Sequence, residues 1–84
     1  MNNVQLLGLA AGAITTSAFI PQIIKIVQTR SAKDISIGMF ILFSTGVSMW
    51  LVYGLMVRDI PVICANAVAL MFNLVTIALK LKYR

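Results

Sequence analysis

The segment IGMFILFSTGVSMWLVYGLMV, residues 37–57, decides the fold, because it continues for 21 residues without a charged side chain. A helix rises about 1.5 Å per residue, so a segment of this length crosses the roughly 30 Å hydrocarbon core of a bilayer. Two similar segments, residues 4–27 and 60–80, lie on either side of it. The sequence therefore predicts three membrane-spanning helices.

The composition supports this prediction. Hydrophobic residues make up 61% of the chain and charged residues 11%, which is typical of an integral membrane protein. The spans fill nearly all of residues 1–84, so we expect one three-helix unit and no second domain. The N-terminal residues 1–5 carry no Lys or Arg, so the first span lacks the basic start of a signal peptide and is expected to remain. Uninterrupted apolar segments also exclude the alternating pattern of a barrel, and the predicted fold class is all-α.

The distribution of basic residues predicts the orientation in the membrane. Six of them flank the first connection or form the tail, and the second connection carries only Arg58. The six are Lys25, Arg30, Lys33, Lys80, Lys82 and Arg84. The positive-inside rule places the first connection and the C-terminus in the cytoplasm, with the N-terminus outside. This topology accounts for the net charge of +5, and no nucleic-acid partner is expected.

The sequence offers little for catalysis or metal binding. There is no His, and the two carboxylates, Asp34 and Asp59, lie in the connections. Cys64 is alone, so it is expected to be an ordinary buried thiol. We therefore predict that the chain is not an enzyme and holds neither a metal nor a cofactor.

Two residues lie deeper in their spans than their chemistry normally allows. Trp50 lies about three residues past the middle of its span, roughly 4.5 Å, which is too deep for the aromatic belt. Asn66 lies about four residues, roughly 6 Å, from the middle of the third span and on the same outer side. A stacking surface and an amide in one layer suit a polar, ring-shaped, uncharged ligand. Packing and interhelical hydrogen bonding remain the alternative.

Helical periodicity predicts that these residues belong to two lined faces. At 100° per residue, the face on the second helix covers an arc of about 80°. It comprises Met39, Phe43, Gly46, Trp50 and Tyr53, and the face on the third helix comprises Asp59, Val62, Asn66 and Asn73. A solute path or a helix-helix seam would give this pattern, and a path better explains Trp, Tyr and two Asn together. Asn73 is the weaker member, with interhelical hydrogen bonding as its alternative.

The first span contains a proline and a glycine pair. Pro21 removes an N–H and frees the carbonyl of Ser17, which predicts a bend that serves as a static kink or as a hinge for an inner gate. Gln22, beside it, must find a hydrogen-bond partner in the membrane. Gly8 and Gly12 have the GxxxG spacing that lets a helix approach a neighbour closely.

Four motifs follow one another over essentially the whole chain. They are Phe19-Ile20-Pro21-Gln22, Asp34-Ile35-Ser36, Trp50-Leu51-Val52-Tyr53-Gly54 and Ala65-Asn66. In this order they resemble the bacterial SemiSWEET family of sugar transporters, within the PQ-loop superfamily. The resemblance implies a parallel homodimer in the bacterial inner membrane, with a central translocation path along the axis. It also implies that Trp50 and Asn66 of both protomers bind the sugar.

The resemblance implies gates as well. Tyr53 with Arg58 and Asp59 is expected to form the outer gate, and Met39 with Phe43 the inner one. Pro21 and Gln22 are expected to be the hinge for alternating access. Small relatives are expected to carry the basic residue of the outer gate two positions before the acid, whereas Val57 occupies that place here and Arg58 is adjacent to Asp59. An ion pair at the outer gate is therefore left open.

No Asp, Glu or His lies inside a span, which favours facilitated diffusion by a uniporter over proton coupling. Two other functions remain open. One is a PQ-loop carrier of another small solute, such as an amino acid, and the other is a non-transporting accessory or holin-like helix bundle.

Overall fold

A computed structural model describes residues 2–83, so Met1 and the basic Arg84 of the tail lie outside the described residues. The described chain forms four helices. They are α1 (Asn3–Ser17), α2 (Phe19–Thr29), α3 (Ile37–Val57) and α4 (Ile60–Tyr83). Helices α1 and α2 together form one span, and α3 and α4 form two more, each long and apolar enough to cross a membrane. The prediction of an all-α unit with three spans is confirmed, and α4 continues three residues beyond the predicted end at residue 80.

Short polar side chains set where the helices begin. The amide of Gln5 donates to Asn2 Oδ1 at 2.8 Å, and the amide of Asn2 donates back to Gln5 Oε1 at 3.1 Å. Ser36 Oγ accepts from the amide of Met39 at 3.2 Å at the start of α3. Each bond satisfies a backbone N–H that has no partner within the helix, which fixes the first turn at these positions.

The first span is interrupted at Ala18, between α1 and α2. The amide of Ala18 bonds to the carbonyl of Thr15 at 3.3 Å, three residues back, as in a tightened last turn. Pro21 lies in the first turn of α2, where a missing N–H costs little. The interruption therefore falls where the sequence placed it, next to the Ser17 carbonyl that Pro21 cannot bond.

Helix α4 lies between α1 and α3, and α1 and α3 do not pack on each other within the described residues. Glycines allow the close approach on the α1 side. A Cβ at Gly8 would lie 2.9 Å from Pro61 Cβ, and one at Gly12 would lie 2.7 Å from Ala65 Cβ. The three spans thus form a single layer, with overall dimensions of 42 × 21 × 13 Å.

A single layer of helices leaves little interior. Among residues 2–83, the buried apolar side chains include Ile26, Ala32, Phe40, Val47 and Ala69. Most large apolar side chains are exposed on the protomer, so lipid or another protein must cover them. Cys64 is also exposed, and the expectation of a buried thiol was wrong, because its position on α4 does not face either neighbouring helix.

Candidate functional site

One cavity, termed the main cavity, lies where α1 and α3 stand apart on either side of α4. Its volume is about 720 Å³, within the range of about 300 to 1,000 Å³ typical of small-molecule sites. Helix α4 forms the floor, and α1 and α3 form the two walls. The lining residues include Thr15, Thr16, Met39, Leu42, Phe43, Gly46, Trp50, Val62 and Asn66.

Trp50 and Asn66, the two predicted ligand-binding residues, both line this cavity. Asn66 Nδ2 donates to the carbonyl of Val62 at 2.8 Å, so one N–H and the amide oxygen remain for a ligand. The Trp50 side chain is 56% exposed on the protomer, and its ring meets Tyr53 edge to face at 5.4 Å. This contact holds the indole beside the cavity and leaves a ring face for stacking. Neither role is tested by this geometry, and both remain predictions.

The two predicted inner-gate residues, Met39 and Phe43, line the same cavity toward the start of α3. Phe43 stacks on Phe19, with ring centres 6.3 Å apart. Phe19 also contacts Phe72 at 6.0 Å and Phe40 at 6.5 Å. Phe19 had no predicted role. It is the first residue of α2, and its place two residues before Pro21 is the signal that the sequence contains.

The predicted outer-gate residues do not line the cavity. Tyr53 contacts Trp50 and lines a separate groove along α3. Arg58 ends α3 in the left-handed conformation, with φ of 57°, and the side chain of Asp59 caps α4 by accepting from the amide of Val62 at 3.3 Å. Of these three residues, only Tyr53 therefore contacts one of the two predicted ligand-binding residues, Trp50.

The predicted hinge residues also lie away from the main cavity. Gln22 lines a second cavity of about 390 Å³ beside the first connection, together with Lys25, Lys33 and Asp34. Pro21 lies one residue before it in α2. Asn73, which shares a face with Asn66 by periodicity, is fully buried and does not line the main cavity.

The main cavity is uncharged, since no Asp, Glu, Lys or Arg is among the described residues that line it. Thr15 and Thr16 donate their hydroxyl hydrogens to backbone carbonyls of α1, at 2.8 and 2.7 Å, which leaves their oxygens as acceptors. The described residues contain no cluster of three or more His, Cys, Asp or Glu that could hold a metal. An indole, an amide and hydroxyl oxygens fit a neutral ligand with both polar and apolar faces.

Comparisons with known proteins agree with the motifs. The family model for the PQ loop repeat matches residues 4–63. The chain is 45% identical over 80 residues to the sugar transporter SemiSWEET of Bradyrhizobium diazoefficiens, covering 95% of this chain and 93% of that protein. It matches the crystal structure of a bacterial homologue of SWEET transporters with a TM-score of 0.94 and 44% identity, over 99% of this chain and 100% of the other.

It also matches the crystal structure of SemiSWEET in the inward-open conformation, with a TM-score of 0.84 and 42% identity, over 96% of this chain and 87% of the other. The proteins matched at this level are transporters and not enzymes. The family resemblance of the four motifs is thereby confirmed. This membrane protein belongs to the SemiSWEET family of the PQ-loop repeat proteins.

Proposed function

We propose that this chain transports a sugar across the membrane. The observation that carries the proposal is that Trp50 and Asn66 line one uncharged cavity in the middle of three spans. An indole stacks on the apolar face of a sugar ring, and an amide bonds its hydroxyl groups. The relatives named above are sugar transporters, which supports the same substrate class.

The transporting unit is a parallel homodimer, with the path on an axis along the membrane normal. Two features support this assembly. The cavity has a floor and two walls within one protomer, so a second copy is needed to close it. Trp50, Leu42 and Met39 are all more than half exposed on the protomer and line that cavity, so a facing copy would cover them. Each copy would then contribute one Trp50 and one Asn66.

Alternating access by this dimer accounts for the remaining predicted residues. The interruption at Ala18, three residues before Pro21, supports a hinge that lets α2 move relative to α1. Met39 and Phe43 form the inner gate, and Tyr53 with Arg58 and Asp59 forms the outer gate between protomers. The dimer is a uniporter and net flux follows the sugar gradient.

The protein resides in the bacterial inner membrane, with its N-terminus outside and its C-terminus in the cytoplasm. The basic residues beside the first connection and at the end of α4 support this orientation.

The test is counterflow of labelled glucose and sucrose into liposomes that hold the purified protein. Trp50→Ala and Asn66→Ala are compared at matched dimer content with Met49→Ala, whose side chain is exposed and lines the separate groove on α3. We expect flux in the wild type and in Met49→Ala, and at least a tenfold loss in the other two. Equal flux in all four proteins would exclude Trp50 and Asn66 as the sugar site.

The two alternatives predict different results. A carrier of another solute, such as an amino acid, would exchange that solute and no sugar, although the uncharged lining offers no partner for a charged group. A non-transporting accessory or holin-like bundle would exchange neither, and Trp50→Ala would affect assembly only.

A further inference from the structure

Two polar side chains in the described part of the chain are buried without a hydrogen-bond partner. They are Asn73, through both Oδ1 and Nδ2, and Ser44, through Oγ. Asn73 is 0% exposed. Thr76, equally buried on α4, differs because its hydroxyl donates to the carbonyl of Phe72 at 2.9 Å. An unpaired amide in a membrane span is costly, so Asn73 calls for a partner within reach.

Ser44 lies where such a partner is needed. Helices α3 and α4 are antiparallel neighbours, and a Cβ at Gly54 would lie 3.2 Å from the side chain of Ile63. Ser44 lies ten residues before Gly54 on α3, and Asn73 lies ten residues after Ile63 on α4. Ser44 also shares a face of α3 with the buried Val47, three residues away. The two unpaired side chains therefore lie at the same level of the α3–α4 interface.

The same level contains the start of α2. Gly12 packs against Ala65, and eight residues further along each helix are Ile20 and Asn73. The ring contact of 6.0 Å between Phe19 and Phe72, one residue earlier on each helix, agrees with this register. Any movement of α2 at Ala18 thus displaces the side chains that pack beside Asn73.

We infer that Asn73 is a positioning residue of the transport cycle, whose amide bonds the Ser44 hydroxyl in the second conformation that α2 reaches by moving at Ala18. The pair is separated in the conformation described here. A serine hydroxyl can donate to Oδ1 or accept from Nδ2, so either geometry satisfies both residues. The bond favours the second conformation over the first. This inference rests on the proposed function, because it requires two states of access.

The expected effect is a change in the population ratio of the second conformation to the conformation described here. Interhelical hydrogen bonds in membranes are worth about 0.6 to 2 kcal/mol, which corresponds to roughly a 3- to 30-fold change in that ratio. Asn73→Leu removes the bond at similar volume, and Ser44→Ala removes it from the other helix. Thr76→Val is the matched control, because its hydroxyl already bonds within α4.

The state ratio can be measured by labelling a cysteine in the cavity. Gly46→Cys in a Cys64→Ser background suits this purpose, since Gly46 lines the cavity and nothing lies within 4 Å of its Cβ position. A membrane-impermeant maleimide is applied to right-side-out and inside-out vesicles, and the two labelling rates are compared. We expect both Asn73→Leu and Ser44→Ala to shift the ratio by about 3- to 30-fold in the same direction, with no further shift in the double variant.

Any of three results would overturn the inference. The labelling ratio could be unchanged in Asn73→Leu, the two effects could add in the double variant, or Thr76→Val could shift the ratio equally. If Asn73→Leu does not insert into the membrane, Ser44→Ala alone decides between these outcomes. Sugar counterflow is measured in parallel on vesicles that hold the wild type. Absence of sugar flux in the wild type, with the Gly46→Cys, Cys64→Ser protein labelled from both sides, would count against the proposed substrate, while the labelling ratio would still decide the role of Asn73.

Discussion

The close approach of α1 to α4 at Gly12 gives a quantitative prediction. A Cβ at Gly12 would lie 2.7 Å from Ala65 Cβ, whereas ordinary contacts between such atoms are 3.4 to 4 Å. The neighbouring atoms at Gly12 are short and rigid, so Gly12→Ala must push α1 away from α4 by about 1 Å. Gly46 is the matched control, because it also lies inside a span and lines the same cavity, with nothing within 4 Å of its Cβ position.

Two terms set the expected change in the free energy of unfolding. Replacing Gly by Ala inside a helix gains about 1 kcal/mol of helix propensity, and this gain is common to both variants. Overpacking costs about 1 to 3 kcal/mol, and only Gly12→Ala incurs it. Gly46→Ala should therefore be up to about 1 kcal/mol more stable than the wild type. Gly12→Ala should be less stable than Gly46→Ala by about 1 to 3 kcal/mol.

The measurement is unfolding in detergent micelles, followed by the helical circular dichroism signal. Gly8→Ala, with a Cβ distance of 2.9 Å to Pro61 Cβ, should lose somewhat less stability than Gly12→Ala. Gly38→Ala serves as a second control, since nothing lies within 4 Å there either. Equal stability of Gly12→Ala and Gly46→Ala would refute the close packing of α1 on α4.

Three further results are expected. Lys80→Met removes the bond from Lys80 Nζ to the carbonyl of Ala32 at 2.9 Å. Because that bond is worth about 1 kcal/mol, tryptic cleavage within the first connection should become roughly fivefold faster. The control variant, Lys82→Met, should be cleaved at the wild-type rate. Pro21→Ala restores an N–H donor to the Ser17 carbonyl and should therefore stiffen the proposed hinge. The maximal rate of sugar exchange should fall, with little change in the sugar concentration at half-saturation, and a faster rate would contradict the hinge. An imposed proton gradient should not drive sugar accumulation, and accumulation against the sugar gradient would contradict uniport.

The helices could be predicted from the sequence because their signals are local. Long apolar segments and the position of Pro21 determine where spans begin, end and break, and the structure has α3 at residues 37–57 and the interruption at Ala18. The GxxxG spacing of Gly8 and Gly12 likewise predicted a close approach. It could not identify α4 as the helix approached, since that choice depends on packing between segments far apart in sequence.

The candidate site was predictable in part for the same reason. Trp50 and Asn66 stand out by depth alone, and both line the cavity. Periodicity could not separate Asn66 from Asn73, because seven residues return to within about 20° on a helix. Asn73 is buried where α2 and α3 both cover α4, a property of the tertiary fold. Lys80 was interpreted only as a topology signal, and its contact with a carbonyl 48 residues away has no local signature.

The order of the spans in space explains why the cavity is open on the protomer. The chain passes from α2 to α3 through residues 30–36 and must cross the end of α4, since α4 lies between them. This connection is not extended, because the amide of Ile35 bonds to the carbonyl of Ala32 at 3.0 Å and closes a turn. Lys80, near the end of α4, donates to the same carbonyl at 2.9 Å. A connection folded into a turn and bonded to α4 opposes a movement of α3 around α4 towards α1, so the walls of the cavity stay apart and one side of it stays open.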